Sequence, residues 1–60
     1  MKFVLKIEAD NEAFQPDPRV EVARLLRRAA DKLEQGDMAG TLRDSNGNTV
    51  GEFTFTGRKA

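Results

Sequence analysis

The chain has 60 residues and a mass of 6.7 kDa, which is enough for one small domain with a modest hydrophobic core. It contains no Cys, His, Trp or Tyr. This composition excludes a disulfide, a thiolate that attacks a substrate or holds zinc, and a histidine general base or metal ligand. Equal numbers of basic and acidic side chains give a formal net charge of zero, which excludes the overall basicity of a protein that coats nucleic acid.

The opening segment, residues 2–8, alternates apolar and polar side chains. Phe3, Leu5 and Ile7 fall on one side, and this period of two is typical of a half-buried strand. Charged residues interrupt the apolar run well before it reaches the length of a secretory signal or a membrane span. We therefore expect a single domain over residues 1–60, located in the cytoplasm and not attached to a membrane.

Asp17 and Pro18 predict the start of a helix. Asp17 can accept a hydrogen bond from a free backbone N–H as N-cap, and Pro18 suits the first helical position. Gly36 predicts the end, near Gln35, because glycine enters the left-handed region without strain. Phe14, in the loop before the helix, is expected to fold back over the core. The apolar stripe of the helix is predicted to consist of Val22, Leu26, Ala29, Ala30 and Leu33.

The last third of the chain predicts a hairpin. Asn46-Gly47 is the strongest short signal for a two-residue type I′ turn. Centring the turn there places the large apolar side chains on one face, and a slip of one residue would destroy this sorting. We expect residues 57–60 to form a loose basic tail. The predicted pairs are Met38 with Phe55, Ala39 with Thr54, Gly40 with Phe53, Thr41 with Glu52, Leu42 with Gly51, and Arg43 with Val50.

These elements predict an α+β fold of β-α-β-β order. The three strands would form an antiparallel sheet in the order 1-3-2, and the single helix would pack on one face of it. The predicted core consists of Phe3, Leu5, Ile7, Phe14, Val22, Leu26, Ala29, Leu33, Met38, Leu42, Phe53 and Phe55.

No catalytic residue, cofactor or metal site is expected. The remaining titratable groups are carboxylates, Lys and Arg, and a helix on three strands leaves no volume for a deep catalytic cleft. Segments 10–14 and 44–48 lack the rest of a calcium-loop pattern, and the glycines do not form a phosphate-binding fingerprint. We expect a protein that is not an enzyme.

The acidic side chains gather at one end of the predicted fold, where the first strand ends, the helix begins and the hairpin turns. One interpretation is a solvated loop with ordinary N-cap chemistry. The other is an acidic patch that imitates phosphate spacing and docks into a basic groove on another protein. The residues of this candidate site are Glu8, Asp10, Glu12, Asp17, Glu21 and Asp44.

Two alternatives use other surfaces. Arg24, Arg27 and Arg28 share an outward face of the helix, which is either a solvated face or the phosphate-binding cluster of a small nucleic-acid-binding protein. The sheet face away from the helix mixes valines with polar residues and suits a self-associating interaction module. That open face carries Val4, Lys6, Thr41, Arg43, Val50, Glu52 and Thr54.

Three segments, 2–8, 22–33 and 42–51, carry a resemblance to a known group. Their residues are KFVLKIE, VARLLRRAADKL and LRDSNGNTVG, and with this layout the chain resembles the small anti-CRISPR proteins of phages, such as inhibitors of type I-C systems. The resemblance implies a protein that is not an enzyme, binds a subunit of the surveillance complex and blocks recognition of target DNA. Acidic members of that group act as DNA mimics. We expect a monomer that has no cofactor and makes no direct contact with nucleic acid.

Overall fold

The computed structural model describes residues 1–57 and confirms the predicted α+β fold. All strand pairs are antiparallel, and the strand order in the sheet is β1-β3-β2. The predicted basic tail, apart from Gly57, lies outside the described residues. In chain order the elements are β1 (Lys2–Ile7), a 3-10 turn (Glu12–Phe14), α1 (Pro18–Glu34), β2 (Ala39–Arg43) and β3 (Thr49–Thr56).

Both ends of α1 use the caps that the sequence predicts. The Asp17 carboxylate accepts a hydrogen bond from the backbone N–H of Arg19 at 3.0 Å, which satisfies one of the free donors at the helix start. Gly36 has a φ of +104°, and its N–H and that of the next residue bond back to carbonyls of the last turn. The helix ends at Glu34, one residue before the predicted Gln35.

The core is smaller than predicted, and the helix residues that face it differ from the predicted ones. Leu26 is 47% exposed, so its place in the predicted core is wrong. The helix packs against β2 and the 3-10 turn, and this turns its inward face toward the preceding residue, Leu25. Phe14 folds back into the core as predicted. The fully buried apolar side chains are Phe14, Leu25, Ala29, Leu42 and Phe53.

The end of the sheet farthest from the 3-10 turn is left partly open. Phe3 and Met38 are 41% and 54% exposed, so their predicted burial is also wrong. At this end Phe3 packs against the ring of Phe55, with ring centroids 5.1 Å apart. Other predicted core residues are half-buried and pack against the core, namely Leu5, Ile7, Val22 and Leu33.

The register of the hairpin is confirmed as far as Leu42, which pairs with Gly51. Beyond that pair the predicted register is wrong, because Arg43 pairs with Thr49 and not with Val50. A bulge therefore leaves Val50 of β3 without a partner in β2.

The hairpin turn is also different from the predicted type I′ turn. Asn46 does not adopt a positive φ, whereas Gly47 has a φ of +85°. The N–H of Asp44 donates to the carbonyl of Asn48 at 2.9 Å, and the N–H of Gly47 donates back to the carbonyl of Asp44 at 3.0 Å. These bonds enclose three loop residues, the pattern in which a left-handed glycine follows a tight turn and forms a bulge. The extra loop residue accounts for the shift in register.

Candidate partner-binding surfaces

The loop after β1, the start of α1 and the hairpin meet at one end of the molecule. The hydrogen bonds that join them include those from the Asn11 side chain to Asp44, from the Ser45 N–H to Glu21, and from the Glu8 N–H to the Val50 carbonyl. At this junction Glu21 and Asp44 are only 7% and 4% exposed. Their predicted place on an open acidic surface is therefore wrong.

Asp44 organises the hairpin from inside. Its Oδ1 accepts hydrogen bonds from the backbone N–H groups of Asn46 and Asn48, both at 2.9 Å, and its Oδ2 accepts one from Asn11 Nδ2 at 2.7 Å. Burial by itself raises the pKa of Asp44, but these bonds outweigh it and hold the pKa below the ordinary value of 3.8. Asp44 is therefore an anion bonded within the fold.

Asn11 has a structural role that the sequence analysis missed. Its Oδ1 accepts the backbone N–H of Ala13 at 2.9 Å and caps the 3-10 turn, while its Nδ2 donates to Asp44. The local signal was present, because Asn commonly caps the residue two positions ahead. The partner across the fold could not be read from the local sequence.

Glu21 and Arg24 connect α1 to the hairpin. The Arg24 guanidinium donates from Nε and Nη2 to the two oxygens of Glu21, at 2.9 and 2.7 Å. Glu21 also accepts the N–H of Ser45 at 2.9 Å, and Arg24 also donates to the carbonyl of Arg43 at 3.2 Å. The bonds from Arg24 are the main reason that the pKa of Glu21 lies below its ordinary value. This pair therefore has a structural role.

Asp17 is closer to solvent, but it is also paired. Besides capping α1, its carboxylate receives two bonds from the Arg19 guanidinium, both at 3.0 Å. The side-chain bond from Arg19 is the main reason that the pKa of Asp17 lies below its ordinary value. Three of the predicted acidic residues are therefore hydrogen-bonded within the chain, namely Asp17, Glu21 and Asp44.

The other three predicted carboxylates remain exposed. Glu8 and Asp10 lie on the segment that joins β1 to the 3-10 turn, and Glu12 is the first residue of that turn. We call these three residues the acidic loop. Within residues 1–57 no ion pair engages any of them. The candidate acidic surface is therefore half the size that the sequence predicted.

A concave surface lies between α1 and β2 and carries four basic side chains. It encloses about 570 Å³. Of the predicted arginine cluster, Arg24 and Arg28 line it and Arg27 does not. Lys32 and Arg43, which the sequence analysis left out of this cluster, line the groove instead. We call this surface the basic groove, and its cations are Arg24, Arg28, Lys32 and Arg43.

The open sheet face offers a smaller surface. A shallow depression of about 220 Å³ is lined by Lys6, Glu8 and residues 49–52. The two valines predicted to be exposed there, Val4 and Val50, are half-buried. The apolar area available for self-association on this face is therefore less than predicted.

Comparisons with known proteins give no relative: no protein-family model, curated protein or solved structure matches this chain. Within residues 1–57 no group of three or more acidic side chains is arranged to hold a metal ion. In the same range no helix combines the length and the apolarity needed to cross a bilayer.

Proposed function

We propose that this protein is a non-catalytic inhibitor that acts by occupying a partner's binding surface. The acidic loop binds a basic surface on a subunit of a CRISPR surveillance complex and blocks recognition of target DNA. The main support is that Glu8, Asp10 and Glu12 are exposed and outside any ion pair of residues 1–57. The class of partner comes from the resemblance to small anti-CRISPR proteins. Such an inhibitor acts as a monomer, without a cofactor, in the cytoplasm of the bacterial host.

Exposed carboxylates suit a surface that evolved to hold phosphates. They offer anionic acceptors to Arg and Lys side chains, and charge-assisted bonds of this kind are among the stronger polar contacts. Complementary charge also speeds the encounter of the two proteins, and salt weakens this effect. The proposed interaction therefore depends on ionic strength in the way that DNA binding does.

The backbone of the acidic loop is anchored on both sides, which favours binding. The Glu8 N–H donates to the carbonyl of Val50 at 2.8 Å, and Asn11 is held by Asp44 and by the 3-10 turn that it caps. Phe14, at the end of that turn, is completely buried. An anchored loop loses little conformational entropy when a partner binds, so more of the contact energy appears as affinity.

The experiment measures target-DNA binding by a purified type I-C surveillance complex in a gel-shift assay, with increasing amounts of this protein. We expect the wild type to block the shift. The loop-reversal variant E8K/D10K/E12K should need at least about tenfold more protein for the same block, because three attractive contacts become repulsive.

A matched control reverses three exposed acids at the other end of α1, in the variant D31K/E34K/D37K. It has the same net charge as the loop-reversal variant, so a general charge effect would weaken both equally. We expect the control to inhibit like the wild type. The proposal fails if a folded loop-reversal variant, checked by circular dichroism, inhibits like the wild type, or if the wild type does not block the shift.

The nucleic-acid-binding alternative is tested in the same gels. Lanes with labelled DNA and this protein, but no surveillance complex, are run at about 50 and 200 mM salt. A shift at low salt that is lost at high salt would support the arginine surface as a nucleic-acid site. Our proposal expects free DNA in both lanes.

A further inference from the structure

We propose that the basic groove binds an extended acidic peptide, which adds to the sheet along the free edge of β2. This mode of recognition combines main-chain hydrogen bonds to an edge strand with side-chain contacts at alternate residues. The proposal concerns a different surface from the acidic loop and does not rest on the proposed function.

The edge of β2 is open within residues 1–57, where β3 is its only neighbour in the sheet. At the two ends of the strand, the Met38 carbonyl accepts the Phe55 N–H at 3.2 Å and the Asp44 N–H donates to Asn48 at 2.9 Å. The even-numbered positions therefore direct their backbone groups toward β3. Since direction alternates along a strand, odd-numbered positions direct theirs outward.

The outward direction is supported by the Arg43 carbonyl, which accepts a bond from Arg24 Nη2 on the groove side at 3.2 Å. Ala39 and Thr41 share this direction. Their N–H and C=O groups are the ones that an added strand would pair with. Unpaired groups of this kind are a template for another chain.

The cations of α1 have a spacing that matches such a strand. Arg24, Arg28 and Lys32 follow one another at intervals of four residues, which is a rise of about 6 Å along a helix. Alternate side chains of an extended peptide are about 6.8 Å apart. A peptide with an acidic residue at every second position would therefore place successive carboxylates beside successive cations.

Most of the cations in the groove are available to bind an anion. Arg28, Lys32 and Arg43 have no ion-pair partner within residues 1–57. Arg24 is fixed by both oxygens of Glu21, which holds this wall of the groove in place. Asp44 is the one carboxylate among the residues that line the groove, so the cations outnumber it and the groove keeps a surplus of positive charge although the net charge of the chain is zero.

Two other occupants fit less well. A single-stranded nucleic acid would need aromatic side chains for base stacking, and no aromatic residue lines the groove. A second copy of this chain, paired antiparallel through β2, would bring Arg28 and Lys32 of both copies to the same face, and like charges disfavour that arrangement.

The test uses fluorescence anisotropy with a labelled peptide that alternates Glu and Val. Two further peptides carry N-methyl groups on all Val amides or on all Glu amides. Alternate amides of a strand face opposite edges, so we expect one methylated peptide to lose binding and the other to keep it. If both methylated peptides bind like the parent, the contact is electrostatic only and strand addition is wrong.

The groove is tested with R28E/K32E against the matched variant R27E/K2E, which has the same charge but leaves the groove intact. We expect the first to weaken peptide binding by at least about tenfold and the second to change it little. Circular dichroism is used to check that both variants fold. Equal binding by both variants, or no binding by the wild type, would overturn the proposal.

Single-stranded DNA of about 20 nucleotides serves as the competing probe. The proposal expects it to bind more weakly than the acidic peptide, because its phosphates are flexible and its bases have no aromatic partner. Tighter binding of DNA that R28E/K32E abolishes would make the groove a nucleic-acid site and contradict the peptide. Every one of these results leaves the surveillance-complex assay unaffected, so the two proposals fail separately.

Discussion

Two groups of carboxylates at the same end of the molecule have chemically similar side chains but different roles. One group is Glu21 and Asp44, at the base of the hairpin, and the other is the acidic loop beside it, Glu8, Asp10 and Glu12. The first two are buried and receive hydrogen bonds from the backbone and from other side chains. The other three face solvent without an ion pair in residues 1–57. The comparison shows that a cluster of acids in a sequence does not predict an acidic surface of the same size.

Physical chemistry explains the division. A buried carboxylate is costly unless donors satisfy its oxygens. Asp44 receives three hydrogen bonds, and Glu21 receives the guanidinium of Arg24 and one N–H. No buried side-chain polar atom in the described part of the chain lacks a partner. We call Glu21 and Asp44 the buried pair, and we expect it to hold the fold while the acidic loop is free to bind.

The largest effect is expected for D44A, because it removes the acceptor for three donors at once. The N–H groups of Asn46 and Asn48 and the amide of Asn11 would lose their partner, and buried donors without partners are destabilising. We expect the thermal midpoint, followed by circular dichroism, to fall by roughly 10 °C or more. The neighbouring change S45A keeps the backbone N–H that Glu21 accepts, so its midpoint should stay near wild type. Equal midpoints for D44A and S45A would contradict the account.

A smaller loss is expected for R24K. Lysine keeps the charge but cannot donate two parallel bonds to Glu21 or reach the Arg43 carbonyl in the same geometry. We expect the midpoint to fall by about 5 °C, measured by the same thermal scan. The control is R28K, at an arginine of the same helix that has no ion pair in the described residues. If R24K and R28K unfold at the same temperature, the bidentate pair does not hold the hairpin.

Acid should destabilise the fold through the carboxylates that are bonded within it. The pKa values of Asp17, Glu21 and Asp44 are lowered by folding. Their contribution is therefore complete above the ordinary values of 3.8 and 4.5 and is lost as the pH falls through the lower values of the folded state.

This effect is measured as the urea midpoint at a series of pH values. We expect the wild-type midpoint to drop below about pH 4 and to be nearly flat above about pH 5. The variant E21Q/D44N, which lacks two of the three groups, should show a shallower drop. A wild-type midpoint that falls instead as the pH rises from neutral, or curves of the same shape for both proteins, would be inconsistent with the bonded carboxylates.

The smallest effect is expected at Asp17, which combines a cap with an exposed ion pair. D17A removes both, and D17S keeps a capping oxygen while losing the pair with Arg19. An exposed pair contributes little, so D17S should unfold close to the wild type. D17A should unfold a few degrees lower, by roughly 2 to 4 °C. The thermal scan of the two variants decides: if D17S loses as much as D17A, the ion pair outweighs the cap.

Several features were predictable because they depend on neighbouring residues. The N-cap at Asp17, the left-handed Gly36 and the alternation in residues 2–8 are local patterns with a local cause. The sheet order and most of the hairpin register followed from placing apolar side chains on one face. The burial of Phe14 also followed, since it is the only large apolar side chain in its loop.

The rest depended on contacts between distant residues. Whether Leu25 or Leu26 is buried depends on what the helix packs against, and the two positions differ by only about 100° around the axis. The bond between Asn11 and Asp44 spans 33 residues, and the one between Ser45 and Glu21 spans 24. Asp44 stands in a local turn pattern, but its burial depends on distant residues such as Asn11, so the size of the acidic surface could not be predicted.

The most direct test compares two variants that remove the same charges from the two regions. E8Q/D10N neutralises one Glu and one Asp of the acidic loop, and E21Q/D44N neutralises the buried pair. We measure the urea midpoint of both at neutral pH. We expect E8Q/D10N to unfold at the same urea concentration as the wild type and E21Q/D44N to unfold at a clearly lower one. Equal losses, or a larger loss for E8Q/D10N, would show that the two groups of carboxylates do not have separate roles.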